Sequence, residues 1–217
     1  NNPMKRITIT VLLSIFVAVL SKAQVKISIN VCPQINESFG ARVGTDFDIR
    51  LNSRWSFVPG IYWSLRNRQT TNKSTTNGIT TNTEYSDVAH FITSPLHLGF
   101  RIPCKDENSF ALKLFFGPYI AYGIGGTSKY TENIDGKVAH YQYGAFDPDG
   151  RYKSHFDYGI NVGINSLIKQ QYKVGLFYEM GLRKIYNTNN VFEDVMGELF
   201  LVNKINFALG LTLGYQF

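Results

Sequence analysis

The last fourteen residues of the chain, 204–217, alternate strictly between two kinds of side chain. The odd positions from Ile205 to Phe217 are all apolar or aromatic, and the even positions are polar or small. This period of two predicts a β-strand with one apolar and one polar face. A long aromatic strand is an aggregation-prone edge in a soluble protein, whereas a membrane β-barrel needs it to close its sheet. We therefore predict a barrel-closing strand, the alternative being the last strand of a soluble sandwich.

Seven earlier segments carry the same alternation, and they predict seven further strands at about 24–31, 39–51, 54–66, 86–102, 110–125, 156–168 and 172–186. Short connections at 52–53, 103–109 and 169–171 alternate with long ones at 67–85, 126–155 and 187–203. Outer-membrane barrels have short periplasmic turns and long extracellular loops. The chain is therefore predicted to be all-β, an eight-stranded antiparallel up-and-down transmembrane β-barrel spanning residues 24–217.

Glycine supports this inside-out arrangement. Of the nineteen glycines, thirteen fall in the predicted strands, and all thirteen lie on the face opposite the apolar side chains. The lumen of an eight-stranded barrel is only wide enough for side chains, so small residues are expected there. A sandwich core would instead place its bulky residues inside.

The first residues of the chain resemble an export signal. Lys5 and Arg6 precede an apolar stretch from Ile7 to Leu20, and small residues flank position 22. We predict a signal peptide over residues 1–23, cleaved after Ala23, with Met4 as the initiator. The predicted localisation is the cell outer membrane.

The net charge of the exported chain is modest. Removing the signal leaves 19 basic and 16 acidic residues, so the formal charge falls from +6 to about +3. The signal thus carries half of the formal net charge, and we do not predict nucleic-acid binding. The expected partners are outer-membrane lipid and the barrel-assembly machinery, with the protein a monomer.

Charged residues of both signs lie on the predicted inward face. Because buried charges must be paired, we predict a salt-bridge network that fills the lumen, the alternative being a proton or ion path. Its predicted members are Arg42, Asp46, Asp48, Arg50, Lys113, Asp157, Glu179 and Arg183.

Two further sets of aromatic residues are candidates for recognition. Tyr215 and Phe217 resemble the C-terminal signal that the bacterial barrel-assembly machinery reads. The connection 126–155 is rich in aromatics, and binding residues concentrate on such loops, although a self-packed loop is equally compatible. The candidate loop-binding residues are Tyr130, Tyr141, Tyr143, Phe146 and Tyr152.

The sequence offers little evidence of a catalytic site. A lipid-facing serine with a nearby histidine would suit a lipid hydrolase, but His90 and Ser94 lie four residues apart and no His-x-Ser pair occurs. No metal-ligand spacing is present. Cys32 and Cys104 are predicted at opposite ends of the barrel, so we expect no disulfide. We predict no enzyme, no cofactor and no metal.

The mature sequence contains the segments FGARVGTDFDIRLNSRWSFVPGIYWSLR, SPLHLGFRI, FGPYIAYGIGG, FDYGINVGIN and LGLTLGYQF. With these, the chain resembles the PorT-like outer-membrane β-barrels of Bacteroidota-type bacteria. It departs from their pattern at Phe91–Pro95, where the acidic residue is missing. The resemblance implies a barrel in the outer membrane and a role as an accessory of protein secretion.

The predicted function is therefore a structural or interaction scaffold without enzymatic activity. A small-solute pore is the first alternative, and a lipid-modifying outer-membrane enzyme is the second.

Overall fold

The computed structural model describes residues 24–36, 38–76, 79–104, 109–184 and 205–217. The described strands are β1 (Val25–Ile35), β2 (Phe39–Arg50), β3 (Trp55–Thr76), β4 (Ile79–Ile102), β5 (Phe110–Ile134), β6 (Lys137–Gly144), β7 (Phe156–Ile168), β8 (Tyr172–Lys184) and β9 (Ile205–Gln216). The predicted signal peptide and the predicted loop 187–203 lie outside the described residues. No helix in the described part of the chain is long and apolar enough to cross a membrane.

Eight of these strands form a closed antiparallel ring in the order β1, β2, β3, β4, β5, β7, β8 and β9. The ring closes where β9 pairs with β1, with Tyr215 opposite Ile29 and Leu213 opposite Val31. The backbone amide of Phe217 also donates to the carbonyl oxygen of Ile27 over 2.9 Å. The predicted eight-stranded barrel, including its closure by the C-terminal strand, is confirmed.

The two faces of the barrel wall differ as the alternation predicts. On β1, Ile29 is 54% exposed to the outside, while its neighbours Ser28 and Asn30 are fully buried inside. The same pattern continues on β9, where Leu211 is exposed and Thr212 is buried. Because the outer side chains are apolar and the inner ones polar, the barrel suits a surrounding of lipid.

Aromatic side chains mark the border of the apolar band at one end of the barrel. At the end with the short turns, Trp55 lies 4.9 Å from Phe100 between ring centroids, and Tyr172 lies 5.6 Å from Tyr215. Short turns are periplasmic in this class of barrel, so this end faces the periplasm.

The structure corrects two of the predicted loops. Residues 67–85 and 126–155 were predicted as long connections, but β3 continues to Thr76 and β4 begins at Ile79. In the same way β5 continues to Ile134 and pairs with β6. These strands project beyond the membrane, where most of their side chains meet water on either face, so their sequence shows little contrast between faces.

The upper parts of β3, β4 and β5 together with β6 form a four-stranded projection that we call the extracellular sheet (residues 67–76, 79–87, 127–134 and 137–144). A register shift between His90 and Phe91 on β4, opposite Gly125 and Gly123 on β5, separates this sheet from the barrel wall. On the barrel side of this shift, the buried side chains of β5 stand at odd positions, as at Tyr119. On the extracellular side they stand at even positions, as at Ser128.

Candidate functional site

The upper half of the lumen is centred on the carboxylate of Glu179, a side chain only 1% exposed. It accepts hydrogen bonds from Arg42 Nη1 at 2.7 Å, Arg66 Nη2 at 3.0 Å and Asn161 Nδ2 at 3.1 Å. Arg66 also donates from Nη1 to Asp157 at 2.8 Å, so this one guanidinium joins two acidic groups. Four strands are thereby tied together across the lumen.

Asp157 has further partners on other strands. Its Oδ2 accepts from the Tyr119 hydroxyl at 3.1 Å and from Asn206 Nδ2 at 3.0 Å. Buried charges persist in proteins when they are paired and fully hydrogen-bonded. Around Arg66, the carboxylates of Asp157 and Glu179 are each paired with a guanidinium and accept further hydrogen bonds from neighbouring side chains.

The lower half of the lumen holds a second set of ion pairs. Lys173 Nζ lies 2.5 Å from Asp46 Oδ2, and Lys113 Nζ lies 2.6 Å from Asp48 Oδ2. Asp46 accepts a further hydrogen bond from the Tyr62 hydroxyl at 3.0 Å. In these ion pairs four cations balance four carboxylates.

The structure divides the eight charged residues of the predicted lumen network into two groups. Six are buried inside the barrel and take part in these ion pairs: Arg42, Asp46, Asp48, Lys113, Asp157 and Glu179. Arg50 and Arg183 are exposed instead, because they lie at strand ends where the lumen opens to water.

Sequence reasoning missed two members of the network, Arg66 and Lys173. Each lies at one of the alternate positions of its strand whose side chains point into the lumen, and this alternation is the signal that identifies them. Arg66 was overlooked because β3 was predicted to end at that residue, although the strand continues ten residues further.

Aromatic rings fill much of the remaining interior, and each covers a glycine directly across the strand pair. The four pairs are Tyr62 with Gly44, Phe115 with Gly163, Tyr119 with Gly159, and Phe177 with Gly210. A Cβ added at Gly159 would lie 2.6 Å from Cε1 of Tyr119, and one at Gly210 would lie 2.5 Å from Cε1 of Phe177. Glycine is therefore needed at these positions to let the rings lie flat on the wall.

A cluster of aromatic residues closes the extracellular mouth of the lumen. Phe146 and Tyr152 come from the segment after β6, and their ring centroids each lie 5.6 Å from that of Phe91 on β4. Tyr152 is 2% exposed and Phe91 is fully buried. Arg66 lies below this cluster, with its guanidinium carbon 4.3 Å from the centroid of Phe91. We call Phe91, Phe146 and Tyr152 the aromatic plug.

The other three predicted loop-binding residues lie on the extracellular sheet. Tyr130 pairs across the strands with Tyr85 on one side and with Tyr141 on the other. The ring centroids are 4.9 Å apart for Tyr85 and Tyr130 and 5.7 Å apart for Tyr130 and Tyr141. The five predicted residues thus separate into plug members, Phe146 and Tyr152, and sheet members, Tyr130, Tyr141 and Tyr143.

A second cross-strand row lies next to these tyrosines, closer to the barrel. It runs Arg68, Asp87, Ser128 and Tyr143 over four strands. Burial raises the pKa of the Asp87 carboxyl above its ordinary value, although the hydrogen bond with Ser128 and the charges of Arg151 and Arg68 act in the opposite direction.

The two residues considered for catalysis lie on the outer wall. The Ser94 hydroxyl donates to the carbonyl oxygen of Gly60 over 3.0 Å. His90 stacks against Trp63, with ring centroids 5.5 Å apart. Among the described residues, no group of three or more His, Cys, Asp or Glu side chains is arranged to hold a metal ion.

The two terminal aromatics point outward at the periplasmic end of β9. The Tyr215 and Phe217 ring centroids are 5.0 Å apart, and Phe217 is 70% exposed. Cys32 is buried inside the barrel and Cys104 follows β4, and both are free thiols, as predicted.

Comparison with solved structures returns outer-membrane barrels of low sequence identity. The attachment invasion locus protein Ail of Yersinia pestis is 12% identical, with 90% of this chain and 97% of that chain covered and a TM-score of 0.32. A major outer membrane protein from Thermus thermophilus is 11% identical, with coverages of 89% and 100% and a TM-score of 0.49. The outer membrane enzyme PagL is 9% identical, with coverages of 88% and 97% and a TM-score of 0.36.

No curated protein matches the chain. A family model described as outer membrane protein beta-barrel domain matches residues 2–187, which is most of the sequence. With its closed ring, apolar outer face and charged interior, the chain belongs to the outer membrane protein β-barrel domain family, and its location is the cell outer membrane.

Proposed function

We propose that this barrel is a non-enzymatic scaffold that presents the extracellular sheet to partners outside the cell. The observation that carries the proposal is the filled lumen. Buried ion pairs occupy its two halves, and the aromatic plug covers its extracellular mouth. A barrel whose lumen is occupied in this way is suited to holding a projecting sheet rigidly. A small-solute pore would instead require an open path through the lumen and measurable conductance.

The absence of enzymatic activity is part of the proposal. It is supported by the engagement of the Ser94 hydroxyl with a backbone carbonyl and by the stacking of His90 on Trp63. A lipid-modifying enzyme would need these two groups to act together on a lipid bond. Ser94→Ala is therefore expected to leave the lipid composition of the outer membrane unchanged.

The finer assignment is to the PorT-like barrels and to protein secretion. It is supported by the segments of alternating, glycine-rich and aromatic sequence, such as FGPYIAYGIGG and LGLTLGYQF, that resemble that family. We propose a monomer in outer-membrane lipid, inserted by the barrel-assembly machinery through Tyr215 and Phe217, which contacts secretion-system proteins.

A photo-cross-linking residue at Tyr141 tests the scaffold function in intact cells. Tyr141 is exposed on β6, so a partner of the sheet is expected to be captured there. The matched control places the same residue at Ile160, which is similarly exposed but on the lipid-facing wall of β7. A protein adduct at Tyr141 alone supports the scaffold, and a secretion-system protein in that adduct supports the finer assignment. Equal labelling at both sites, or no protein adduct at Tyr141, contradicts the scaffold.

A further inference from the structure

A cavity of about 360 Å³ lies between the extracellular sheet and the segment that follows β6. Three tyrosine rings line it, from Tyr85, Tyr130 and Tyr143. The opposite side consists of Pro148–Arg151, and Asp87 and Ser128 lie toward the barrel. Small-molecule sites commonly combine an aromatic lining with a few well-placed polar groups at this volume.

Two buried polar atoms at this cavity have no hydrogen-bond partner among the described residues. They are Oδ2 of Asp87, a residue 2% exposed, and Nε of Arg151. Buried polar atoms in native proteins are nearly always satisfied, so each such atom calls for a partner. One is an acceptor and the other a donor, and both side chains line the same cavity.

The positions of these two side chains are fixed by the fold. Asp87 is held between Arg68 and Ser128 in the cross-strand row. The backbone amide of Arg151 donates to Ser128 Oγ at 3.2 Å, and its guanidinium carbon lies 5.2 Å from the centroid of Tyr85. The acceptor and the donor are therefore preorganised before a ligand arrives.

The charge of the cavity narrows the class of ligand. Lys129 and Arg151 contribute two positive charges, and Asp87 and Asp149 contribute two negative ones. A strongly anionic or cationic ligand would gain nothing from this balance, because each attraction is offset by a repulsion. A neutral ligand with hydroxyl groups can donate to Asp87 and accept from Arg151, while its carbon-bound hydrogens pack against the tyrosine rings.

We propose that this cavity binds a neutral saccharide. The inference deepens the proposed scaffold function and rests on it, because it names the partner class of the extracellular sheet. The saccharide has two sources, either free oligosaccharide outside the cell or the neutral polysaccharide of the cell's own surface. Both offer the same hydroxyl chemistry to Asp87 and Arg151.

The test is saturation-transfer NMR and titration calorimetry on the full exported barrel in detergent micelles. One arm uses neutral hexasaccharides of glucose, mannose, galactose and N-acetylglucosamine, and the other uses neutral polysaccharide extracted from the native outer membrane. Binding in either arm, with saturation transferred from aromatic protons, is the expected result, and the arm that binds identifies the source. No binding in both arms, or tighter binding of a sulfated analogue, overturns the inference.

Two variants connect binding to the cavity. Asp87→Asn and, independently, Arg151→Met are each expected to weaken binding at least tenfold, because each removes a hydrogen bond that involves a charged group. Glu84→Gln is the matched control, since Glu84 is exposed on β4 and accepts from Gln69 at 2.9 Å away from the cavity. Heat-dependent gel mobility verifies folding of every variant. Unchanged affinity in both folded cavity variants overturns the inference.

Failure of this inference and failure of the scaffold proposal give different results. A non-conducting barrel that cross-links through Tyr141 but binds no saccharide overturns only the cavity assignment. A barrel that conducts ions and captures no partner, yet binds saccharide through Asp87, overturns only the scaffold function.

Discussion

Replacement of Glu179 by glutamine is expected to destabilise the barrel by about 3 kcal/mol. Glu179 receives hydrogen bonds from Arg42, Arg66 and Asn161, and glutamine keeps its shape while removing its charge. Arg66 retains its ion pair with Asp157 at 2.8 Å. Arg42, which is 4% exposed, loses the carboxylate that Nη1 contacts at 2.7 Å. Leaving a buried charge unpaired costs about 3–5 kcal/mol, and the intact Asp157 pair places this variant at the lower end of that range.

The assay is reversible urea unfolding in lipid vesicles, followed by the fluorescence of Trp55 and Trp63. The midpoint for Glu179→Gln is expected to fall at an unchanged slope, since the surface exposed on unfolding stays the same. Arg183→Gln is the control, because Arg183 is exposed, and its midpoint is expected to stay within error of the parent. The double variant Arg42→Met with Glu179→Gln is expected to recover part of the loss. An unchanged midpoint for Glu179→Gln would refute the account of the interior charges.

Three further predictions concern packing, thiol accessibility and processing. Gly159→Ala is expected to cost about 1–3 kcal/mol of unfolding free energy, because its Cβ would collide with the backbone carbonyl oxygen of Met180 and lie 2.6 Å from Tyr119; an unaltered urea midpoint would contradict this. A maleimide is expected to modify Cys104 before Cys32, since Cys32 is buried inside the barrel and Cys104 is partly accessible; mass spectrometry of the folded protein measures the order, and prior labelling of Cys32 would contradict it. The exported protein is expected to begin at Gln24, which N-terminal sequencing of the outer-membrane fraction decides.

The sequence predicts the barrel wall well because the wall separates two unlike environments. Wherever a strand has lipid on one side and the lumen on the other, its side chains must alternate in polarity. This holds along β9 and along β1, where exposed Ile29 stands between buried Ser28 and Asn30. The number of strands, their faces and the closure of the sheet all follow from this contrast.

The extracellular sheet is not predicted by the same reasoning, because most of its side chains meet water on either face. A different signal was available in the turns. Asp135 and Gly136 have φ angles of 48° and 83°, as the two central residues of a type I′ hairpin turn require. The dipeptide Asn77-Gly78, between the paired residues Thr76 and Ile79, carries the same sequence preference.

The alternation along the strands also does not predict which interior charges pair with each other. Parity places Arg66, Glu179 and Asp157 inside, but it does not say which of them lie at the same height in the barrel. Height depends on the stagger of each strand against the next. Likewise, the composition of 126–155 gave no reason to separate Phe146, which joins the plug, from Tyr141, which is exposed.

Single-channel recording in a planar lipid bilayer tests the central claim, that the lumen is filled and the barrel serves as a scaffold. The purified full-length exported protein is inserted at low protein density, with a porin of known conductance as the positive control for insertion. The ion pairs of Glu179 and Asp157 and the aromatic plug predict no stepwise current, even though the protein is recovered folded in the membrane. Discrete and reproducible current steps, scaling with salt concentration, would contradict the filled lumen and favour the pore.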